Sequence, residues 1–130
     1  MLVASLMGAV AFQKGLGVNH SCAHALSTVF DTHHGLANGL MLKACMKFNY
    51  EAVPEKFERI AQAVGCATSQ QFFSWLDQLL TEVELPSGLA ALDITVTDRL
   101  VDVAQADVCH PLGPRAVSRE DFFMLYNTSL

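Results

Sequence analysis

Residues 15–38 read GLGVNHSCAHALSTVFDTHHGLAN, and this stretch holds four of the five histidines in the chain. His20 and His24 are one helical turn apart, a spacing that places both imidazoles on the same helix face. His33 and His34 follow after a turn, and either could supply a third metal ligand. From spacing alone, the natural metal pair is therefore His20 and His24. The alternative is that all four are ordinary polar residues near helix ends.

Patterns along the rest of the chain predict helices and no sheet. Pro54 suits a first helical residue, Thr68 starts a capping-box pattern, and Ser118 starts another. Residues 94–96 are too short to count as a strand. A single all-α domain over residues 1–130 is expected. Its predicted helices are 1–12, 20–30, 35–48, 54–65, 68–83, 97–108 and a last one that begins at Ser118.

The first predicted helix, residues 1–12, is apolar almost all round and carries no cap and no charge. A helix of this kind is usually an interior one. The pattern indicates a sequence that starts in mid-helix, so we expect the chain to be part of a longer one. Gly15 to Gly17 then breaks the helix.

Composition and charge exclude several classes of protein. Apolar residues make up 52% and charged residues 16% of the chain, which indicates surface buried against another domain or subunit and favours a homo-oligomer. The net charge of -5 leaves no basic patch for nucleic acid. No apolar run approaches the roughly 20 residues of a membrane-spanning helix. Four cysteines without zinc-knuckle spacing, and no signal peptide, predict reduced thiols in the cytoplasm.

The histidine stretch resembles the signature of the iron-containing (group III) alcohol dehydrogenases. The signature reads G-L-G-x-x-H-x-x-A-H and then H-G-x-x-N, and residues 15–24 and 34–38 match it. Further matches are Phe48-Asn49, Asp107-Val108-Cys109 and Gly113-Pro114-Arg115, so the resemblance covers the whole chain. It implies a helical bundle like the C-terminal domain of the dehydroquinate synthase-like, or iron-dependent alcohol dehydrogenase, fold.

This resemblance changes the assignment of the metal ligands. It implies that His20 and His34 bind the metal, Fe(II) with Zn(II) also acceptable, and that His24 is a non-ligand residue linked to proton handling. Cys109 matches a position that lines the substrate cavity. The implied reaction is oxidation of an alcohol or reduction of an aldehyde, in which the metal polarises the substrate oxygen while hydride passes to or from NAD or NADP.

Other parts of such an enzyme have no counterpart in the chain. The family's two remaining metal ligands, an Asp and a His spaced by four, are missing. The chain also has no glycine-rich turn for the cofactor's pyrophosphate, because Gly15 to Gly17 follows no strand and lacks a third glycine. We therefore expect an N-terminal α/β domain to bind the cofactor, and this chain alone to be inactive and to bind metal weakly.

Two other functions remain open from the sequence. The chain could be a non-catalytic helical remnant, or an assembly module that docks on a separate cofactor domain. It could also be a stand-alone metal-binding protein that uses His20, His24 and His34.

Overall fold

A computed structural model describes residues 1–130 as seven α-helices with no strand, which confirms the all-α prediction. Residues 94–96 are irregular rather than extended. Three short 3-10 turns connect the helices at Phe12–Lys14, Leu89–Leu92 and His110–Leu112. The helices are α1 (Leu2–Ala11), α2 (Val18–Phe30), α3 (His34–Tyr50), α4 (Pro54–Ala63), α5 (Ser69–Glu82), α6 (Asp98–Ala106) and α7 (Arg119–Thr128).

Helix starts follow the predicted caps with one difference. Ser118 and Asp121 form a complete capping box, in which each side chain bonds to the other residue's backbone N–H. Thr68 accepts from the backbone N–H of Gln71, but the Gln71 side chain bonds to the backbone N–H of Ala67 instead of Thr68. That capping box is therefore only half formed.

The turn between α2 and α3 reverses the chain and brings these two helices together. Asp31 adopts the left-handed conformation at φ 53°, so it ends α2 through its backbone and caps no helix with its side chain. Ser27 donates a hydrogen bond to the carbonyl of Thr32 at 2.8 Å, which fastens the turn. As a result the chain reverses quickly, and α3 packs along α2.

Helix α2 is the centre of the main core and packs on both α3 and α6. Its buried residues include the small side chains Cys22, Ala23 and Ala25, which allow neighbouring helices to approach closely. The buried Tyr126 hydroxyl of α7 donates to the carbonyl of Cys22 at 3.0 Å. A second, mainly aromatic cluster joins α4 to α5 through Phe57, Ala61, Phe72, Phe73 and Leu76.

Helix α1 differs from the interior helix that its sequence predicted. The helix itself is present, but it has no buried residue; Leu6 and Val10, for example, are each 64% exposed. The reason is that no other part of the chain packs over it. No helix of the chain has the length and apolar character needed to cross a bilayer.

Candidate metal centre

Three imidazoles meet where α2 and α3 begin. The ring centroids of His20 and His34 are 5.5 Å apart, those of His20 and His24 are 5.8 Å apart, and those of His24 and His34 are 5.3 Å apart. His20 and His24 come from successive turns of α2, and the tight turn at Asp31 brings His34, the first residue of α3, beside them. We refer to these three residues as the histidine triangle.

The fourth histidine of the stretch, His33, lies outside the triangle. Its ring packs close to Gly35, where an added Cβ would lie 3.3 Å from the His33 Cε1 atom. It lines a separate groove together with Phe30 and Leu92. Of the two candidates for a third histidine, the structure brings only His34 to the other two.

Two asparagines, Asn19 and Asn38, connect α2 to α3 beside the triangle. Asn38 donates from its Nδ2 to the Nε2 of His34 at 3.1 Å and to the His34 carbonyl at 3.0 Å. Asn19 donates in turn to the Asn38 Oδ1 at 2.9 Å. Because an amide nitrogen only donates, the His34 Nε2 carries a lone pair in this arrangement. The motif match identified Asn38, whereas Asn19 stands at an unspecified position of the signature, and spacing gave no sign of either residue's contacts.

Asp107, the residue that follows α6, reaches the triangle from a distant part of the sequence. Its Oδ2 accepts from the His24 Nδ1 at 2.9 Å, and its Oδ1 accepts from the Ser21 hydroxyl at 2.7 Å and from the backbone N–H of Cys109 at 2.8 Å. Burial raises the pKa of this carboxyl group, but the hydrogen bonds from Ser21, His24 and Cys109 outweigh it and lower the pKa to about 2. The carboxylate is therefore ionised at neutral pH.

Cys109 lies beside this carboxylate and is buried. Burial, together with the hydrogen bond to Asp107 and its negative charge, raises the pKa of the thiol to about 11. One potential ligand atom from each of His24, Asp107 and Cys109 lies within 4.8 Å of the other two. The thiol predicted to line the substrate cavity is thus next to His24, and it is protonated at neutral pH.

The environment of His20 favours its neutral form. Burial lowers the pKa of His20, and the neighbouring His34 and His24 lower it further, while Asp107 acts in the opposite direction. A neutral imidazole is the form that binds a metal. The His34 Nε2 is also unprotonated, but its lone pair accepts the hydrogen bond from Asn38, so a bound metal would take the place of that donor. With that exchange, two neutral imidazoles fit a divalent transition metal.

The triangle is open to solvent. His34 is exposed, and a cavity of about 410 Å³ lies elsewhere, between α3, α5 and the end of the chain. The Phe12 ring, whose centroid is 6.3 Å from that of His20, is also 54% exposed. An active site needs water excluded from the reacting atoms, and these residues alone leave that side uncovered.

Two further contacts hold other parts of the fold together. The Arg115 guanidinium stacks on the Phe48 ring at 3.9 Å and donates to the Phe48 carbonyl at 3.2 Å, so it closes the end of α3. His110 packs edge-on against Phe122, and its Nε2 bonds to the carbonyl of Gln105. These contacts are structural, and sequence reasoning assigned no role in the chemistry to His110.

Comparison with known proteins assigns the chain to a family. A family model described as "Fe-containing alcohol dehydrogenase family, C-terminal" matches residues 1–130. The chain belongs to this family. The resemblance that the histidine stretch carried is confirmed, and the helical bundle corresponds to the C-terminal domain of the iron-containing alcohol dehydrogenases.

Relatives within the family are alcohol dehydrogenases and related oxidoreductases. The 4-hydroxybutyrate dehydrogenase of Cupriavidus necator is 28% identical over 141 residues, which cover 100% of this chain and 37% of that protein. The 1-propanol dehydrogenase PduQ of Salmonella typhimurium is 34% identical over 135 residues, covering 90% of this chain and 36% of that protein. The solved structure of a 1,3-propanediol oxidoreductase matches with a TM-score of 0.80 and 26% identity, covering 88% of this chain and 33% of that one. The chain thus spans about a third of the length of these iron-containing alcohol dehydrogenases.

Proposed function

We propose that this chain forms the metal-holding half of the active site of an NAD(P)-linked alcohol dehydrogenase that oxidises an alcohol or reduces an aldehyde. The observation that carries the proposal is the histidine triangle, with Asp107 hydrogen-bonded behind His24. Membership of the iron-containing alcohol dehydrogenase family supports the class of reaction.

Within this proposal each residue of the site has a separate task. His20 and His34 hold Fe(II), with Zn(II) as an acceptable substitute, because their rings are neighbours. His34 would bind through Nε2 once the metal replaces the hydrogen bond from Asn38. When bound, the metal polarises the substrate oxygen and the nicotinamide exchanges hydride with the substrate carbon. His24 holds or releases the proton of the substrate hydroxyl. Cys109 contributes to the wall of the substrate cavity.

The proposal requires a partner for this chain. Two imidazoles leave a transition metal short of protein ligands, and the open side of the triangle leaves room for the rest. We infer that an N-terminal α/β domain supplies the NAD or NADP site and the remaining ligands, whether it belongs to a longer chain or to another one. The exposed apolar α1 beside the triangle supports such a partner and also a homo-oligomer. Four free thiols support a cytoplasmic location.

A metal titration of single-histidine variants tests the ligand assignment. Zn(II), and Fe(II) under argon, are titrated into the chain and into His20→Ala, His34→Ala and His24→Ala, and the heat of binding is measured. We expect weak binding by the parent chain. His20→Ala and His34→Ala each lose a ligand and should weaken it by at least about 10-fold, since even residues behind the ligands are worth 10–100-fold. His24→Ala should change it little.

His33→Ala is the matched control, because His33 lies next to His34 in sequence but outside the triangle, and its metal affinity should equal that of the parent chain. If neither His20→Ala nor His34→Ala weakens binding, the metal assignment is wrong. Tight stoichiometric binding by the parent chain as a monomer would contradict the proposal that half of the site comes from a partner.

The nearly equal sides of the triangle favour one other function, a stand-alone metal-binding protein that uses all three imidazoles. The same titration separates the two, because affinity would then collapse in His24→Ala as it does in the other variants. A chain that binds no metal in any form would instead be a non-catalytic assembly module.

A further inference from the structure

Asp107 holds the ring of His24 through a carboxylate that cannot rotate freely. Its Oδ1 atom is fixed by two donors, the Ser21 hydroxyl and the backbone N–H of Cys109. The Ser21 hydroxyl is itself fixed, because its oxygen accepts from the backbone N–H of His110 at 2.9 Å. The second oxygen, Oδ2, is therefore directed at the His24 Nδ1 atom.

This contact decides which nitrogen of His24 carries the proton. An ionised carboxylate can only accept hydrogen bonds, so the 2.9 Å contact requires a hydrogen on the His24 Nδ1. In a neutral imidazole the basic lone pair then resides on Nε2. Since the His24 ring lies 5.3 Å from that of His34 and 5.8 Å from that of His20, the basic nitrogen belongs to a ring in contact with both.

A second metal site is the other interpretation of the same residues, since His24, Asp107 and Cys109 each place a ligand atom within 4.8 Å of the others. The hydrogen bonds argue against it. The carboxylate already accepts from every donor around it, and the Cys109 thiol keeps its proton. A metal there would have to displace hydrogens from both Nδ1 and the thiol, whereas the hydrogen-bonded arrangement is complete without it.

We propose that Asp107 is a positioning residue that holds His24 in the tautomer protonated on Nδ1 and leaves the basic lone pair of the ring on Nε2. Any use of this orientation in catalysis rests on the proposed function. The tautomer itself is a property of this chain alone, whether or not a metal or a cofactor is bound.

The substitution Asp107→Asn tests the proposal because it keeps the shape of the side chain. The amide oxygen should stay with the Cys109 backbone N–H, which can only donate, and the amide NH2 group then faces His24. A donor in that position requires an acceptor on Nδ1, so the hydrogen of the ring should move to Nε2. A corresponding tautomer change accompanies an Asp-to-Asn substitution behind the histidine of serine proteases.

The measurement is the 15N chemical shift pair of the His24 ring at about pH 9, well above the ordinary histidine pKa of about 6.5. His24 is assigned by the loss of its signals in His24→Gln. We expect a protonated Nδ1 and an unprotonated Nε2 in the parent chain, and the reverse in Asp107→Asn. Asp102→Asn is the control, since Asp102 lies on α6 but pairs with Arg119 and does not touch His24; it should leave the tautomer unchanged.

A His24 protonated on Nε2 in the parent chain, or the same tautomer in parent and Asp107→Asn, overturns the proposal. Circular dichroism shows whether Asp107→Asn still folds, so that a change of tautomer is distinguished from unfolding. Ser21→Ala is a second variant. Ser21→Ala removes one donor to Oδ1 while Oδ2 still faces His24, so its tautomer should match the parent. If the tautomers behave as stated while no histidine variant affects metal binding, the proposed function fails and the role of Asp107 in setting the tautomer stands.

Discussion

At the scale of single residues, Asp107 joins two parts of the chain that are far apart in sequence. Its partners Ser21 and His24 lie 86 and 83 residues away on α2, while Cys109 is only two residues away. Hydrogen bonds to a charged acceptor are stronger than those between neutral groups. The residue that orients His24 therefore also fastens the end of α6 to α2.

Asp107 should make the stability of the chain depend on acid pH. Its pKa falls from an ordinary value of 3.8 to about 2 in the folded chain, so the ionised form stabilises the fold above about pH 4. This stabilisation, of about 1–2 kcal/mol once solvent screening is allowed for, is lost as the pH falls from about 4 to about 2. Urea unfolding should show Asp107→Asn less stable than the parent at pH 7, with a smaller difference at pH 2.5. A constant difference would contradict this.

The sequence indicated the three histidines of the candidate site but not the contact between Asp107 and His24. The signature placed His20, His24 and His34, because their spacing is local and their pattern is specific. Asp107 also matched a family motif, but its contact with His24 depends on how α6 docks on α2. Helical periodicity carries no information on that docking, so the role of Asp107 became visible only in the structure.

At the scale of elements, the loop before the Leu89–Leu92 turn is fitted closely to the last residues of the chain. The backbone N–H of Leu89 donates to the Ser129 carbonyl at 2.8 Å. A Cβ added at Gly88 would lie 2.4 Å from the carbonyl oxygen of Leu130 and 2.8 Å from that of Ser129. Gly88 is needed for this close approach rather than for an unusual φ, because its backbone is extended.

Replacing Gly88 by alanine should therefore destabilise the chain by about 1–3 kcal/mol, the usual cost of overpacking against atoms that cannot move aside. The free energy of unfolding in urea measures the effect. Gly8→Ala is the matched control, since nothing lies within 4 Å of that position on α1, and alanine favours a helix more than glycine does. A Gly88→Ala variant as stable as Gly8→Ala would show that the two segments do not pack as described.

At this scale, the sequence predicted where helices begin better than it predicted which distant residues they contact. The caps at Thr68 and Ser118 follow from local side-chain chemistry and were predicted correctly, apart from the partner of Gln71. Residues 85–88 follow the predicted helix 68–83. That Gly88 meets the last residues of the chain is a tertiary contact, and no local pattern encodes it.

At the scale of the whole molecule, α1 presents an apolar surface with nothing packed on it. Contiguous exposed apolar surface of this kind usually marks an interaction site. Phe12 continues α1 and touches His20, so a partner that covered α1 would also shield the histidine triangle from water. The sequence predicted that α1 would be buried, and it could not say by what.

Substituting Leu6 and Val10 together by lysine should weaken self-association without unfolding the chain. Both side chains are 64% exposed, and surface substitutions of this kind usually change stability by about 0.5 kcal/mol or less. Sedimentation velocity over a range of concentrations measures the association, and thermal unfolding measures the stability. Val83→Lys is the control, because Val83 is 61% exposed and follows α5, which packs on α3 and α4 rather than on α1. A parent chain that stays monomeric throughout would contradict the prediction of a homo-oligomer.

The distance in sequence between Asp107 and α2 has a consequence for the order of events during folding. His20 and His24 come together as soon as one helix forms, and His34 joins them once the adjacent turn closes, because both steps involve local contacts. The bond from Asp107 to His24 must wait until a chain segment of 83 residues has closed, and contacts of such long range form slowly. We expect that wherever α2, the turn and α3 form before that step, the three imidazoles lie side by side while the proton on His24 can still occupy either nitrogen.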